Sequence, residues 1–134
     1  MIIVILCVLG LFVLQTLLPA IYRYLLAGPG AAARLMIALG PRDAPPPLSA
    51  VGGRAERALT NLHEALPVFL TLALLLLLRD AVTELALRGA WIFFLARALY
   101  VPAYLGGIFA VRSAVWVVSW VGLGMMIAAL LAPH

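Results

Sequence analysis

Arg54, Arg57, Asn61 and Glu64 recur at spacings of three, four and three in an otherwise largely apolar stretch. At about 100° per residue these positions fall within a sector of roughly 80° on one helix. Two guanidiniums, an amide and a carboxylate thus form one polar stripe. A guanidinium donates paired N–H bonds to a carboxylate, and a carboxylate accepts from an ammonium. Further along, Arg97, Tyr100 and Tyr104 are three and four apart and line one face of another helix. Counted inward from a shared water boundary at ~1.5 Å per residue, Glu64 and Arg97 match in depth, so an ion pair between them is geometrically plausible. Thr60 and Thr71 fall beside the stripe, whereas His63 and Glu56 project elsewhere. His63 therefore reads as a packing or interfacial residue in preference to a general base.

The elements that must position these groups follow from composition. The chain has 134 residues, 66% hydrophobic and 10% charged, against roughly 45–50% and about 25% in soluble domains. Apolar runs of about 20 residues suffice to cross a ~30 Å hydrocarbon core. The composition predicts an all-α integral membrane protein, a bundle of four transmembrane helices in a single domain over residues 1–134. The helices are expected over residues 1–27, with an extension to 39, and over 54–78, 89–107 and 112–131. Gly28-Pro29-Gly30 should interrupt or bend the first helix, since proline lacks a backbone donor. The loop over 40–53 carries Pro41, Arg42, Asp43 and three consecutive prolines, Pro45 to Pro47, a stiff extended centre. A leader cleaved near Ala31-Ala32-Ala33 is the lesser alternative, because the first apolar run is too long and lacks a positive start.

Net charge is +4, and all nine basic residues are arginine. Several lie inside apolar stretches, unlike the wetted basic cluster that nucleic acid requires, so no nucleic-acid partner is expected. With four spans, Arg34, Arg42, Arg54 and Arg112 flank one membrane face and Arg79 and Arg88 the other. The excess of arginine makes the proline-rich loop cytoplasmic and puts both termini outside the cytoplasm. Cys7 is the single cysteine, which excludes an intramolecular disulfide and leaves no thiolate pair for zinc; no metal is expected. Trp91, Trp116 and Trp120 read as lipid-facing, packing or interfacial aromatics.

An ionised side chain in the bilayer costs about 2.5–3.5 kcal/mol on insertion scales, so several on facing helices imply a polar cavity. The alternative is a structural network in which Arg57, Glu64 and Arg97 satisfy one another and tie helices together.

The run Arg54-Ala55-Glu56-Arg57-Ala58-Leu59-Thr60-Asn61-Leu62-His63-Glu64-Ala65-Leu66-Pro67 resembles the second-helix pattern R-x-x-R-A-x-x-N-x-x-E-x-x-P of the MAPEG family, the membrane-associated proteins in eicosanoid and glutathione metabolism. Arg97-Ala98-Leu99-Tyr100-Val101-Pro102-Ala103-Tyr104-Leu105-Gly106, followed by Arg112-Ser113, resembles the family's R-x-x-(Y/H)-x-x-x-Y-x-G and R-S elements. The Gly40-Pro41-Arg42-Asp43 segment resembles that of a bacterial-type subgroup, which implies a bacterial inner membrane.

The resemblance implies a homotrimer of four-helix subunits that binds glutathione between neighbours near the cytoplasmic face. Arg54, Arg57, Asn61 and Glu64 would hold the tripeptide, and Arg97, Tyr100 and Tyr104 would complete the pocket. Arg112 and Ser113 match the positions from which family enzymes activate the thiol. A guanidinium favours the thiolate and a hydroxyl can donate to it. The implied activity is that of a glutathione transferase or peroxidase on a hydrophobic small molecule entering from membrane lipid. Two other functions stay open: a non-catalytic lipid-binding or scaffolding protein, as in the family's lipoxygenase-activating branch, and a small proton-coupled transporter using Glu64. The chain departs from the family where Ala65 replaces an aromatic of one eicosanoid synthase and where Trp116 replaces a tyrosine. The first-helix arginine of the family corresponds to either Arg23 or Arg34.

Overall fold

Ser49 and Thr83 each start a membrane-crossing helix by the same local device. The Ser49 hydroxyl accepts from the Gly52 N–H at 3.1 Å, and the Thr83 hydroxyl from the Ala86 N–H at 3.3 Å, satisfying donors that a helix start leaves open. The protein is described by a computed structural model over residues 1–26, 30, 36, 39–40 and 47–132. Four helices follow in order: α1 (Ile2–Ala20), continued by a π-helical turn (Ile21–Leu25), α2 (Ala50–Leu78), α3 (Glu84–Leu105) and α4 (Phe109–Leu131). All are long and apolar enough to cross a membrane, and there is no strand among the described residues. At ~1.5 Å per residue even α3 reaches about 33 Å.

The last three helices begin earlier than composition suggests. Gly52 and Gly53 form the first turns of α2 because the Ser49 cap fixes the start ahead of them. A Cβ on Gly52 would lie 2.8 Å from the Leu48 side chain and 3.2 Å from Tyr22, so the glycine lets the end of the first span approach. Glu84 and Arg88 belong to the first turns of α3, joined as an i,i+4 ion pair, and α4 starts at Phe109. Gly28, Pro29, Ala31 to Arg34, Pro41 to Asp43, Pro45 and Pro46 lie outside the described residues. With them lie the expected bend, the extension of the first helix, the cleavage site and most of the proline-rich loop.

Within the first span Pro19 has no N–H to give the Gln15 carbonyl four residues back. The helix re-forms beyond it with wider bonding, the Leu26 N–H reaching the Ile21 carbonyl at 3.0 Å. The ends of α2 and α3 close with the same pair of bonds. After α2, Asp80 takes a left-handed φ of 51°. The Asp80 N–H donates to Leu77 and the Ala81 N–H to Leu76. After α3, Gly107 has φ 71°. The Gly107 N–H donates to Tyr104 and the Ile108 N–H to Ala103.

Apolar packing concentrates in one half of the bundle. Val4 and Val8 of α1, Phe69, Ala73 and Leu76 of α2, Ala86, Ala90 and Phe93 of α3, and Leu123 and Met126 of α4 form one buried cluster. The Phe69 and Phe93 rings stack with centroids 4.7 Å apart. Helices α3 and α4 come into backbone contact where Gly89 meets Gly122: a Cβ on either would lie 2.6 Å from the other's carbonyl oxygen. Small residues at a crossing let backbones touch, a main source of helix attraction in lipid. The opposite half carries the polar stripe.

Candidate functional site

Asn61 on α2 and Arg97 on α3 meet inside the polar half. Arg97 Nη1–H donates to Asn61 Oδ1 at 2.5 Å, so depth matching found the right level and the acceptor is the amide one turn from Glu64. Arg97 is 1% exposed. Its guanidinium carbon lies 5.5 Å from the Phe93 ring centre and 5.8 Å from that of Tyr100, within reach of cation–π attraction. Its Nε and Nη2 are buried without a hydrogen-bond partner. A buried cation with N–H groups to spare suits an anionic ligand group, since charge-assisted bonds offset the cost of desolvation.

Asn61, Tyr100 and Tyr104 line a cleft of about 460 Å³ with Arg112, Ser113, Trp116 and Val117 of α4. The two tyrosine rings are tilted against each other with centroids 5.3 Å apart. The Arg112 guanidinium carbon lies 4.8 Å from the Tyr104 ring centre and 4.9 Å from that of Phe109, which fixes a cation at the cleft wall. Ser113 is exposed, and its Oγ–H donates to the Phe109 carbonyl at 3.2 Å. In that rotamer the oxygen's lone pairs are presented and the proton is engaged within the helix.

The stripe on α2 divides. Arg54 turns to the end of α3, where its Nη1–H donates to the Leu105 carbonyl at 3.0 Å. A cation there complements the helix terminus. A Cβ on Gly107 would sit 3.1 Å from the same guanidinium, which would have to shift slightly to admit it, so it is the φ of 71° that calls for glycine at this turn. Arg57 and Glu64 are exposed, and among the described residues neither forms an ion pair. The ion pair that does join the first span to α2 is Arg23 with Glu56, at 3.9 Å. Arg34, the other candidate for the first-helix arginine, lies outside the described residues. His63 packs its ring edge-on to Phe12 of α1 with centroids 5.0 Å apart. Trp116 lines the cleft, a position that helical spacing from Arg112 and Ser113 could have indicated.

The set thus combines a buried arginine with spare donors, an amide, two phenols, and a second arginine beside a hydroxyl. Among the described residues no three His, Cys, Asp or Glu side chains gather to hold a metal ion. A family model described as the MAPEG family matches residues 1–132 of the chain. The protein belongs to the MAPEG family. Its four apolar helices form the membrane bundle of that family. Membership of the MAPEG family supports a glutathione-related function in the membrane in general terms. No curated protein and no solved structure matches the chain.

Proposed function

We propose that the protein binds glutathione in the cleft between α2, α3 and α4 and uses it as a transferase or peroxidase against hydrophobic electrophiles. The observation that carries this reading is Arg97, buried and bonded to Asn61 through one nitrogen while two others keep unpaired N–H groups. Glutathione has two carboxylates, an ammonium and a thiol. One carboxylate takes the free N–H groups of Arg97. Asn61 supplies a neutral amide, Tyr100 and Tyr104 supply hydroxyls, and Glu64 and Arg57 remain for the ammonium and the second carboxylate. Arg54 holds the turn that sets Tyr104 against Arg112.

Arg112 stabilises the thiolate by its charge. Rotation of the Ser113 hydroxyl away from Phe109 would let it donate to the same sulfur. The thiolate pair then attacks an electrophilic carbon, forming the C–S bond as a leaving group departs with its electrons. With a hydroperoxide, sulfur attacks the terminal oxygen, the O–O bond breaks, and the alkoxide takes a proton. A second glutathione converts the resulting sulfenic acid to disulfide and water.

The arginines of the described residues favour one orientation: Arg23, Arg54, Arg57 and Arg112 lie at the cleft end, Arg79 and Arg88 at the other. By the charge bias of membrane proteins the cleft end faces the cytoplasm and the N-terminus lies outside it; the resemblance to a bacterial-type subgroup implies a bacterial inner membrane.

Calorimetry in detergent should detect glutathione binding that Arg97→Ala weakens about 10- to 100-fold, the effect of losing hydrogen bonds to a charged group. Conjugation of 1-chloro-2,4-dinitrobenzene, followed by absorbance, should fall in Arg112→Ala while binding persists. Absence of binding in the wild type would overturn the reading. A second reading rests on the Ser113 hydrogen bond to Phe109: a non-catalytic protein that holds glutathione or a lipid without activating a thiol. Binding without turnover of chlorodinitrobenzene or of a hydroperoxide would favour it.

A further inference from the structure

A second hollow, of about 360 Å³, lies between α1 and α3 on a different flank of α3 from the tyrosine face. Its walls are Leu11, Leu14 and Leu18 from α1 and Ala98, Val101 and Pro102 from α3. Into this apolar lining projects one amide, Gln15, which is 2% exposed and whose Oε1 has no hydrogen-bond partner. Each of the two helices also carries a proline near this level. Pro19 stands four residues after Gln15 and Pro102 four after Ala98, and neither proline has an N–H to give those carbonyls. Gln15 Oε1 is therefore an oxygen acceptor within hydrocarbon, where an unmet polar group is costly.

Depth narrows the occupant. At ~1.5 Å per residue Gln15 lies roughly 20 Å from Ile2 and roughly 15 Å from Leu25, near the middle of the membrane. A phospholipid headgroup or an ionised fatty acid does not reach that level, and no charged side chain lines the hollow to pair with one. The remaining match is an uncharged molecule with a hydrocarbon body and an O–H partway along it.

We propose that the α1–α3 groove binds a neutral, membrane-dissolved hydroxyl compound, its hydrocarbon against the leucines and its O–H donating to Gln15 Oε1. This site does not rest on the glutathione reading, since it shares no lining residue with the cleft. It would give a hydroxylated lipid-soluble compound a place on the protein outside the cleft between α2, α3 and α4.

The test uses the full chain in nanodiscs and equilibrium binding of tritiated methyl 12-hydroxystearate and methyl stearate, which differ by the hydroxyl alone. Wild-type protein should bind the hydroxy ester about three- to fifteenfold more tightly, the range for one hydrogen bond in a membrane protein. Gln15→Leu and the size-matched Gln15→Met should each abolish that preference, and Val101→Trp, which fills the hollow, should weaken both esters. Equal affinity of the two esters for the wild type would overturn the proposal, a water on Gln15 or hydrocarbon filling then being sufficient. A preference that survives both Gln15 variants would also overturn it. So would a disulfide between two copies of a Leu14→Cys variant in a Cys7→Ser background, which would put a second copy of the chain in the groove.

Discussion

Arg97 gives the site its stiffness as well as its charge. Its side chain is held between Phe93, Tyr100 and the Asn61 oxygen, so the position of its unpaired nitrogens is set before a ligand arrives. Asn61→Ala would leave the guanidinium with no protein acceptor, a buried loss of about 1–3 kcal/mol. The thermal transition in detergent should drop accordingly, and Asn61→Asp, which restores an oxygen, should recover most of it. The sequence made Asn61, Arg97 and the two tyrosines legible because helical spacing places them on inward faces. It did not separate Asn61 from Glu64 as the partner of Arg97. Residue counting gives depth to within about a turn, whereas the choice depends on how the two helices are rotated and crossed. Gln15 is not legible in the sequence for a different reason: a lone amide in a leucine-rich helix has no periodicity to mark it.

Helix ends carried information that composition masked. Ser49 and Thr83 are cap residues, yet Gly52-Gly53 and the charges around Arg88 have the composition of loop and water boundary, so composition alone places the starts of α2 and α3 later than they lie. A serine or threonine cap acts through one hydrogen bond and outweighs such averages. The turn after α2 has an aspartate in the left-handed region, a conformation that costs an L residue about 1–2 kcal/mol. Asp80→Gly should raise stability by about 0.5–1 kcal/mol after the glycine's own entropy loss, read as a later midpoint in denaturing detergent. The α3–α4 crossing behaves oppositely. Gly122→Ala would press a methyl against the Gly89 carbonyl and the Phe93 amide and should cost about 1–3 kcal/mol. Gly124→Ala, where the added carbon meets nothing within 4 Å inside α4, should instead raise the melting midpoint, by about 0.5–1 kcal/mol of stability.

At the scale of the whole molecule, four spans were readable from hydropathy, but what covers them was not. Glu64 is exposed and lies roughly 21 Å from either end of α2 at ~1.5 Å per residue, close to mid-membrane. An ionised carboxylate facing lipid there would cost about 2.5–3.5 kcal/mol. The expectation is that a neighbouring copy covers this face, in the homotrimer that the family resemblance implies. Native mass spectrometry from mild detergent should give three times the 14.3 kDa chain mass, and Glu64→Arg should shift the distribution toward smaller species. A monomer throughout the concentration range would leave the exposed carboxylate without its explanation.

The glycine contact between α3 and α4 sits far from the cleft mouth, and this sets a mechanical ratio. Gly122 to Arg112 spans roughly 15 Å of helix at ~1.5 Å per residue. With the packed half as fulcrum, a rocking of α4 by only about 4° would carry Arg112 through about 1 Å. Were α4 to pivot there, small changes in the grip at Gly89 and Gly122 would be magnified at the guanidinium, and the bundle's far end would act as a lever on the width of its own opening.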